Sequence, residues 1–507
     1  MFRGLAACAF WLAASGIACA HVGHEDGEPL GAVHFPVSCT PAGQAAFERG
    51  LALLHHMTYP QAREAFQQAA GLDPKCAMAH WGIAMTLFQP LWPTRPGLEA
   101  RRRGWAELQA AAEPAATTER ERKYIAAAEA FFQEPASEDY WARIRRWEAA
   151  SEKLYRDLPD DDEAAVFYAL AHLAVVPPTA VTRKNADESA AILLRVYREN
   201  PGHPGAMHYL VHANDVPGRE RELLDVTRRY ESVAPRNPHA LHMPTHIYTR
   251  LGDWDGVIRG NLLAADAALE HPAGEHGEYV WDEFPHAIEY LVYAYLQQGD
   301  DEAALAQVRR LWSTERLEPT FKTAFHLAST RARYALERRD WREAAALAAR
   351  APPGLPWDQF PWAEGISQFA RGLGAAHLGR LEEAGAASRR LAELDATAAQ
   401  SGEELFARNI RILRLELDAW IAQAGDRPDE SVALMQQAAD LETSTPKHPV
   451  TPAPTLPALE LLGDLWMEQK QPGQALEAYR RSLEQYPNRA NSLRGRANAE
   501  SAIGARQ

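Results

Sequence analysis

The chain has little of what most catalytic or nucleic-acid-binding signatures need. It holds only four cysteines, no Cys-x-x-Cys pair, no Gly-rich phosphate loop and no Gly-x-Ser-x-Gly elbow. Basic residues are outnumbered, giving a formal net charge of -15. That argues against nonspecific binding to nucleic acid or anionic membrane, since either needs a basic surface. Alternating apolar residues of the strand kind are essentially missing, so the fold is expected to be all-helical. After the first twenty residues no apolar run is long enough to span a bilayer, so the mature chain is expected to have no transmembrane segment.

At the N-terminus, Arg3, the apolar run Leu5–Ala18 and Ala18-Cys19-Ala20 read as a secretory signal over residues 1–20, cleaved before His21. The expected location is periplasmic or secreted. Cleavage removes Cys8 and Cys19 and leaves Cys39 and Cys76, which in an oxidising compartment are expected to form one disulfide. The mature start, His21-Val22-Gly23-His24, is polar, and residues 21–42 are read as an N-terminal extension.

What the sequence does have is histidine at a fixed interval. Ala206-Met207-His208-Tyr209-Leu210-Val211-His212 returns as Ala240-Leu241-His242-Met243-Pro244-Thr245-His246, so His208 matches His242 and His212 matches His246. The preceding Pro201 and Pro235 keep the same step. Within each copy two histidines stand four apart, on one helix face. A related segment, Pro285-His286-Ala287-Ile288-Glu289, aligns with Pro238-His239-Ala240-Leu241-His242, putting His286 at the place of His239 and Glu289 at that of His242. Pro244 would bend the helix between His242 and His246, and the two rings then need not share a face. Asn214, Asp215, Asp282 and Glu283 are the polar neighbours that could orient ligands, with helix capping the preferred role for the last two.

The same period runs elsewhere. Gly50, Tyr59, Ala62, Phe66, Ala69 and Pro74 fall at set offsets, as do Gly463, Trp466, Ala475, Tyr479 and Pro487. In these residues the chain resembles the secreted bacterial tetratricopeptide repeat (TPR) proteins, whose unit is a helical hairpin. The resemblance implies a right-handed TPR-like solenoid: a TPR pair over 43–96, irregular hairpins over 97–203, His-rich units over 204–310, further helices over 311–442, a proline-rich loop over 443–457 and a terminal repeat with capping helix over 458–507.

The resemblance also places residues. The first helix of each TPR hairpin lines the concave groove, which implies that His208, His212, His239, His242, His246, His286 and Glu289 converge there. Imidazoles and a carboxylate in that arrangement are the ligands of a transition metal: zinc, iron, copper, manganese or nickel. Three functional classes follow. The first is a binding or interaction protein with a metal or small ligand in its groove. The second is a metal-dependent hydrolase or oxidase using the same histidines. The third is a metal-free adaptor gripping a protein or peptide through Trp92, Tyr209, Tyr248, Tyr293 and the histidines.

Overall fold

The computed structural model describes residues 28–505 apart from 93–94, 115–116, 138, 177–179, 181–182 and 275; the expected signal sequence over 1–20 and the segment His21–His24 lie outside them. Helix follows helix in antiparallel hairpins, Pro41–His55 with Tyr59–Leu72 first and Ala458–Glu468 with Pro472–Gln485 last, before the closing helix Ala490–Gly504. Each hairpin packs chiefly on the one before and the one after, as in a solenoid. Among the described residues the strands are two residues long, Pro272–Ala273 paired antiparallel with Tyr279–Val280. The fold is all-α and TPR-like.

The signature residues do the packing expected of them. The Phe66 ring lies where a Cβ on Gly50 would come within 2.7 Å and a Cβ on Gly82 within 2.3 Å, so one aromatic plugs its own hairpin and the next. Tyr479 does the same between Gly463 and Gly495. Without glycine at these sites the helices would have to move apart to admit the ring. The second helix Leu98–Ala112 packs on Ala77–Met85, so the second hairpin runs past residue 96 into the region read as irregular. The loop between them, broken by prolines, stretches the repeat without changing its pairing. Further helices start at Glu119, Asp162 and Pro204, the longer period expected of this part.

The solenoid turns back on itself. Trp254 donates its indole N–H to the Asn488 carbonyl at 3.1 Å, and Asn488 returns an amide N–H to the Gly252 carbonyl at 3.2 Å. Gly252 has φ +66°, and a Cβ there would meet the Pro487 carbonyl at 2.5 Å, so both conformation and space require glycine. The lock is Arg489: fully buried, it donates to Glu337 (2.8 Å) and Glu460 (2.7 Å) from two other repeats. A buried guanidinium held by two carboxylates fixes geometry strongly, because losing one partner leaves an uncompensated charge.

Two irregular segments fill the inside of the turn. The first is residues 28–40. It crosses the first hairpins with Phe35 buried between Phe47, Trp81 and Tyr124, and Ala32 donates its N–H to the Gly202 carbonyl. The second is the proline-rich loop 443–457, where Arg333 donates to the Pro454 carbonyl at 2.8 Å and the Thr451 hydroxyl at 2.9 Å.

The Cys39–Cys76 disulfide forms, with Cα atoms 4.9 Å apart, tying the crossing segment to the helix Ala77–Met85. It closes a covalent loop around the first hairpin. Replacing both cysteines by serine is expected to lower the unfolding free energy by about 2–4 kcal/mol, because the unfolded chain regains the freedom of that loop. Urea unfolding of the oxidised protein and the double variant measures the difference; identical midpoints would show that packing around Phe35 alone holds the segment.

Candidate metal centre

The histidines converge. His208 and His212 stand on the helix Pro204–Asn214, His239 and His242 on Pro238–His242, His246 on Pro244–Leu251 and His286 on Glu283–Gln298. They form two adjoining triads, His208/His212/His239 and His242/His246/His286, each offering three ligand atoms within 4.8 Å of one another. His239 and His242 join the triads, their ring centroids 6.4 Å apart. Five of the six residues are buried, and His212 is half-buried.

Pro244 does not separate His242 from His246. It opens a new helix at its first position, where a missing N–H costs nothing, while Met243 keeps helical angles (φ -54°, ψ -42°) across the junction. The axis continues, and the two Nε2 atoms lie 2.9 Å apart.

The sharpest feature is what holds each Nδ1. His208 Nδ1 donates to the His55 carbonyl at 2.6 Å, His239 Nδ1 to the Glu283 carboxylate at 3.1 Å, and His246 Nδ1 to the Asp215 carboxylate at 3.0 Å. His242 Nδ1 lies 2.7 Å from Asn261 Oδ1, and Asn261 gives its own N–H to the Val257 carbonyl at 2.8 Å, so the amide oxygen is the acceptor. In all four rings the proton is therefore on Nδ1, and Nε2 presents a lone pair. Such pairing of one ring nitrogen with a carboxylate or carbonyl is how metal-ligating imidazoles are oriented.

Two of those lone pairs face one another. Between His242 and His246 neither Nε2 has a proton to share across 2.9 Å. His208 and His212 bring their Nε2 atoms to 3.2 Å, and His239 Nε2 is buried without a protein partner. An ion holding imidazoles at about 2.1 Å sets neighbouring donors about 3.0–3.4 Å apart for angles between about 90° and 109°. The separations match that range closely.

Electrostatics favour the uncharged form of several of the rings. Burial, reinforced by the neighbouring histidines, holds His208, His242 and His286 well below the ordinary imidazole range, and His212 is pushed down to about 3. Asp215 remains ionised despite burial because Arg250 and Lys447 bind it, and Glu283 because of Lys322.

Glu289, expected as a ligand, lies outside both triads. One oxygen accepts from Ser329 at 2.6 Å and from Arg333 at 2.8 Å, and the other from His326 at 2.5 Å. His326 in turn meets His286 Nδ1 at 3.0 Å, so Glu289 acts on the centre only through two rings. The alignment by repeat held for His286 but not here, because position 289 faces the next helix, Phe321–Glu337. Glu283 serves His239 rather than capping, while Asp282 binds Lys322 and Thr320, and Asn214 accepts from Arg219. Nothing in the sequence singled out His326 or Asn261.

A third triad, His55/Glu163/His203, is different in kind. His203 Nδ1 accepts the Ala206 N–H as a helix cap, so its Nε2–H donates to Glu163 at 3.1 Å, while His55 Nε2 meets the other oxygen at 2.8 Å. Its hydrogen bonds are complete without an ion. It sets the first hairpin against the helix Pro204–Asn214, where a Cβ on Gly205 would strike His55 Nδ1 at 2.5 Å. His56 is likewise used, between the Tyr230 hydroxyl (2.7 Å) and the Leu30 carbonyl (3.0 Å), and His80 pairs with Glu107.

Over the triads lies a cavity of about 40 Å³, walled by Leu91, Trp92, Met243 and Val450 and floored by four of the centre's histidines. Trp92 stacks toward His239, with the Lys322 ammonium 4.2 Å above its ring. The proline-rich loop forms the roof through His448, Pro449 and Val450, and Lys447 reaches Asp215 at 3.4 Å. Tyr209, Tyr248 and Tyr293 are buried within the protein and do not face this space as a peptide-contact surface.

By architecture, then, this is a helical-hairpin solenoid with a buried polyhistidine centre. No protein-family model and no curated protein sequence matches the chain. Among solved structures it is similar to the Cut9–Hcn1 hetero-tetramer of the APC/C, at 11% identity and TM-score 0.40 over 90% of this chain and 76% of that one. It is also similar to yeast Tom70, at 9% and 0.32 over 90% and 88%, and to the TPR domain of P58(IPK), at 13% and 0.20 over 92% and 99%. At such values the likeness bears on neither activity nor partners.

Buried neutral histidines make stability depend on pH with a definite sign. His56 and His448, each pushed down to about 3 by burial, take up a proton in the unfolded chain near the ordinary value of 6.5 but not in the folded one. Folding stability is thus full above pH ~6.5 and falls as pH drops toward 3, by about 2 kcal/mol for each of these two at pH ~5. Urea midpoints of chelator-treated protein at pH ~7.5 and ~5 are expected to differ accordingly; equal midpoints would mean the rings protonate in place.

Proposed function

We propose that the chain is an exported metal-binding protein in which a TPR-like solenoid encloses a transition-metal centre of His208, His212, His239, His242, His246 and His286. The observation that carries this reading is the pair of Nε2 lone pairs of His242 and His246 aimed at one another at 2.9 Å, both rings fixed by a non-imidazole acceptor on Nδ1, with the Nε2 atoms of His208 and His212 3.2 Å apart beside them. Apposed lone pairs repel, and a cation between them turns the repulsion into coordination. Nitrogen-only donors suit zinc, copper or iron over magnesium or calcium. The two triads have room for one ion each. Export is supported by the signal-like N-terminus and by the disulfide, which belongs to an oxidising compartment.

A second reading, that the centre is catalytic, is favoured by the cavity. Three histidines around an ion leave a position open, and here the space beside them is dry-walled and small. The substrate would be a small molecule. An extended peptide is disfavoured, because the loop 443–457 already lies over the histidines, held there by Arg333 and Lys447. Interaction with a protein partner through the solenoid's outer surface is compatible with either reading.

Untagged mature protein is expected to carry zinc, iron, copper or manganese in near-stoichiometric amount by elemental analysis, and the His208→Ala/His242→Ala double variant to carry none while keeping its far-UV circular dichroism. Absence of metal from both, with folding intact, would sink the proposal.

The outer residues give a finer test. Asp215→Asn is expected to retain metal but weaken its binding about 10–100-fold, since a carboxylate on Nδ1 raises the basicity of His246. Competition with a chromogenic chelator reads the change, and an unaltered affinity would place His246 outside the coordination sphere.

A further inference from the structure

On the far side of the proline-rich loop lies a second cavity, of about 60 Å³, among its lining residues Phe325, Trp362, Asn409, Glu416, Glu442 and Tyr486. It shares the loop with the histidine centre but none of the six proposed ligands.

Its chemistry is one-sided. Glu416, on the helix Glu404–Ala424, is completely buried, and neither of its carboxyl oxygens has a hydrogen-bond donor among the described residues. Glu442, on Pro428–Thr443, is buried beside it and receives only the Ala458 N–H at 3.2 Å and the Tyr486 hydroxyl at 3.3 Å. Part of the hydrogen-bond donating capacity near them is already spent. Asn409 spends one of its two amide hydrogens on the Leu405 carbonyl at 2.8 Å, and Thr445 its hydroxyl hydrogen on the Leu441 carbonyl at 2.6 Å. On the loop side the Lys447 ammonium is engaged by Asp215 and the Thr451 carbonyl, and His448 Nδ1 accepts the Val450 N–H.

A buried carboxyl group without a donor is costly, the more so with a second carboxyl next to it. The missing partner must bring N–H or O–H donors and, with two acidic groups present, positive charge. A divalent metal is a poor fit, because hard cations take six or more oxygens and two carboxylates here lack a third acidic or imidazole ligand. An ammonium suits both oxygen sets, and the aromatic faces of Trp362, Phe325 and Tyr486 suit a cation carrying a short carbon chain. At roughly 10–15 Å³ for each water-sized occupant, the space holds about four such groups, the scale of an amine head with two or three carbons.

We propose that this cavity is a binding site for a small primary alkylammonium, whose N–H groups are donated to Glu416 and Glu442 while its carbons rest against Trp362, Phe325 and Tyr486. The site is independent of the metal centre and stands or falls without it.

Isothermal titration of the full chain with n-propylammonium tests it, with 1-propanol and tetramethylammonium as controls: the first lacks the charge and the second lacks N–H donors. Saturable binding of propylammonium alone is expected, weakened about tenfold or more in Glu416→Gln, since an amide offers one acceptor and no charge. Glu442→Gln should weaken it likewise, with metal content unchanged in both, and it carries the test if Glu416→Gln does not fold. Binding equal in the variants, or equal for the controls, would overturn the proposal. So would no binding at millimolar ligand together with an infrared carboxylic acid band that vanishes in Glu416→Gln, because the two carboxyls would then share a proton and need no guest.

Discussion

The structure depends on the burial of imidazoles together, without charge and with their orientation fixed. Six rings from four helices meet in a largely buried space, and nearly every Nδ1 is tied to an acceptor from another element: His208 to the first hairpin, His242 to the helix Trp254–Glu270, His239 to Glu283, His246 to Asp215. Each tie therefore crosses a repeat boundary or a loop. The same bonds that fix tautomers also fix how the hairpins stack.

That coupling extends outward to the loop 443–457. From His286 the contacts run to His326, to Glu289, to Arg333 and from there to the backbone of Pro454 and the hydroxyl of Thr451. On the other side Asp215 links His246 to Lys447. The roof over the histidines is thus fastened at both ends by residues that also bear on their electrostatics. In a repeat protein, whose contacts are mainly between neighbours, such long-range ties are what convert a flexible superhelix into one body, and Arg489 supplies another near the C-terminus.

Much of this was legible in the residues. The recurrence of His208 and His212 as His242 and His246 marked the centre, and Gly50, Phe66, Gly463 and Tyr479 marked the hairpins, because both are local patterns repeated at a fixed step. Glu289 was misplaced because its carboxylate is taken up by His326, Ser329 and Arg333 of the next helix, contacts that alignment by repeat does not show. His326 and Asn261 escaped because their roles depend on contacts across 40 and 19 residues that have no periodic trace. Glu283 looked like a cap because glutamate at a helix start ordinarily is one.

The two irregular segments make the same point from the energetic side. Proline-rich 443–457 has few backbone donors of its own and cannot extend the helical stack, yet it is well buried at Val450, Ala453 and Leu456. It stays inside because Arg333, a single fully buried guanidinium, satisfies several of its oxygens while neutralising Glu289. Removing the positive charge would strand Glu289, free the loop and loosen the tie to His326 together. A repeat scaffold ordinarily presents an open groove; here one arginine holds the groove's own chain across it, so the centre beneath is reached through a small cavity walled by Trp92, Met243 and Val450.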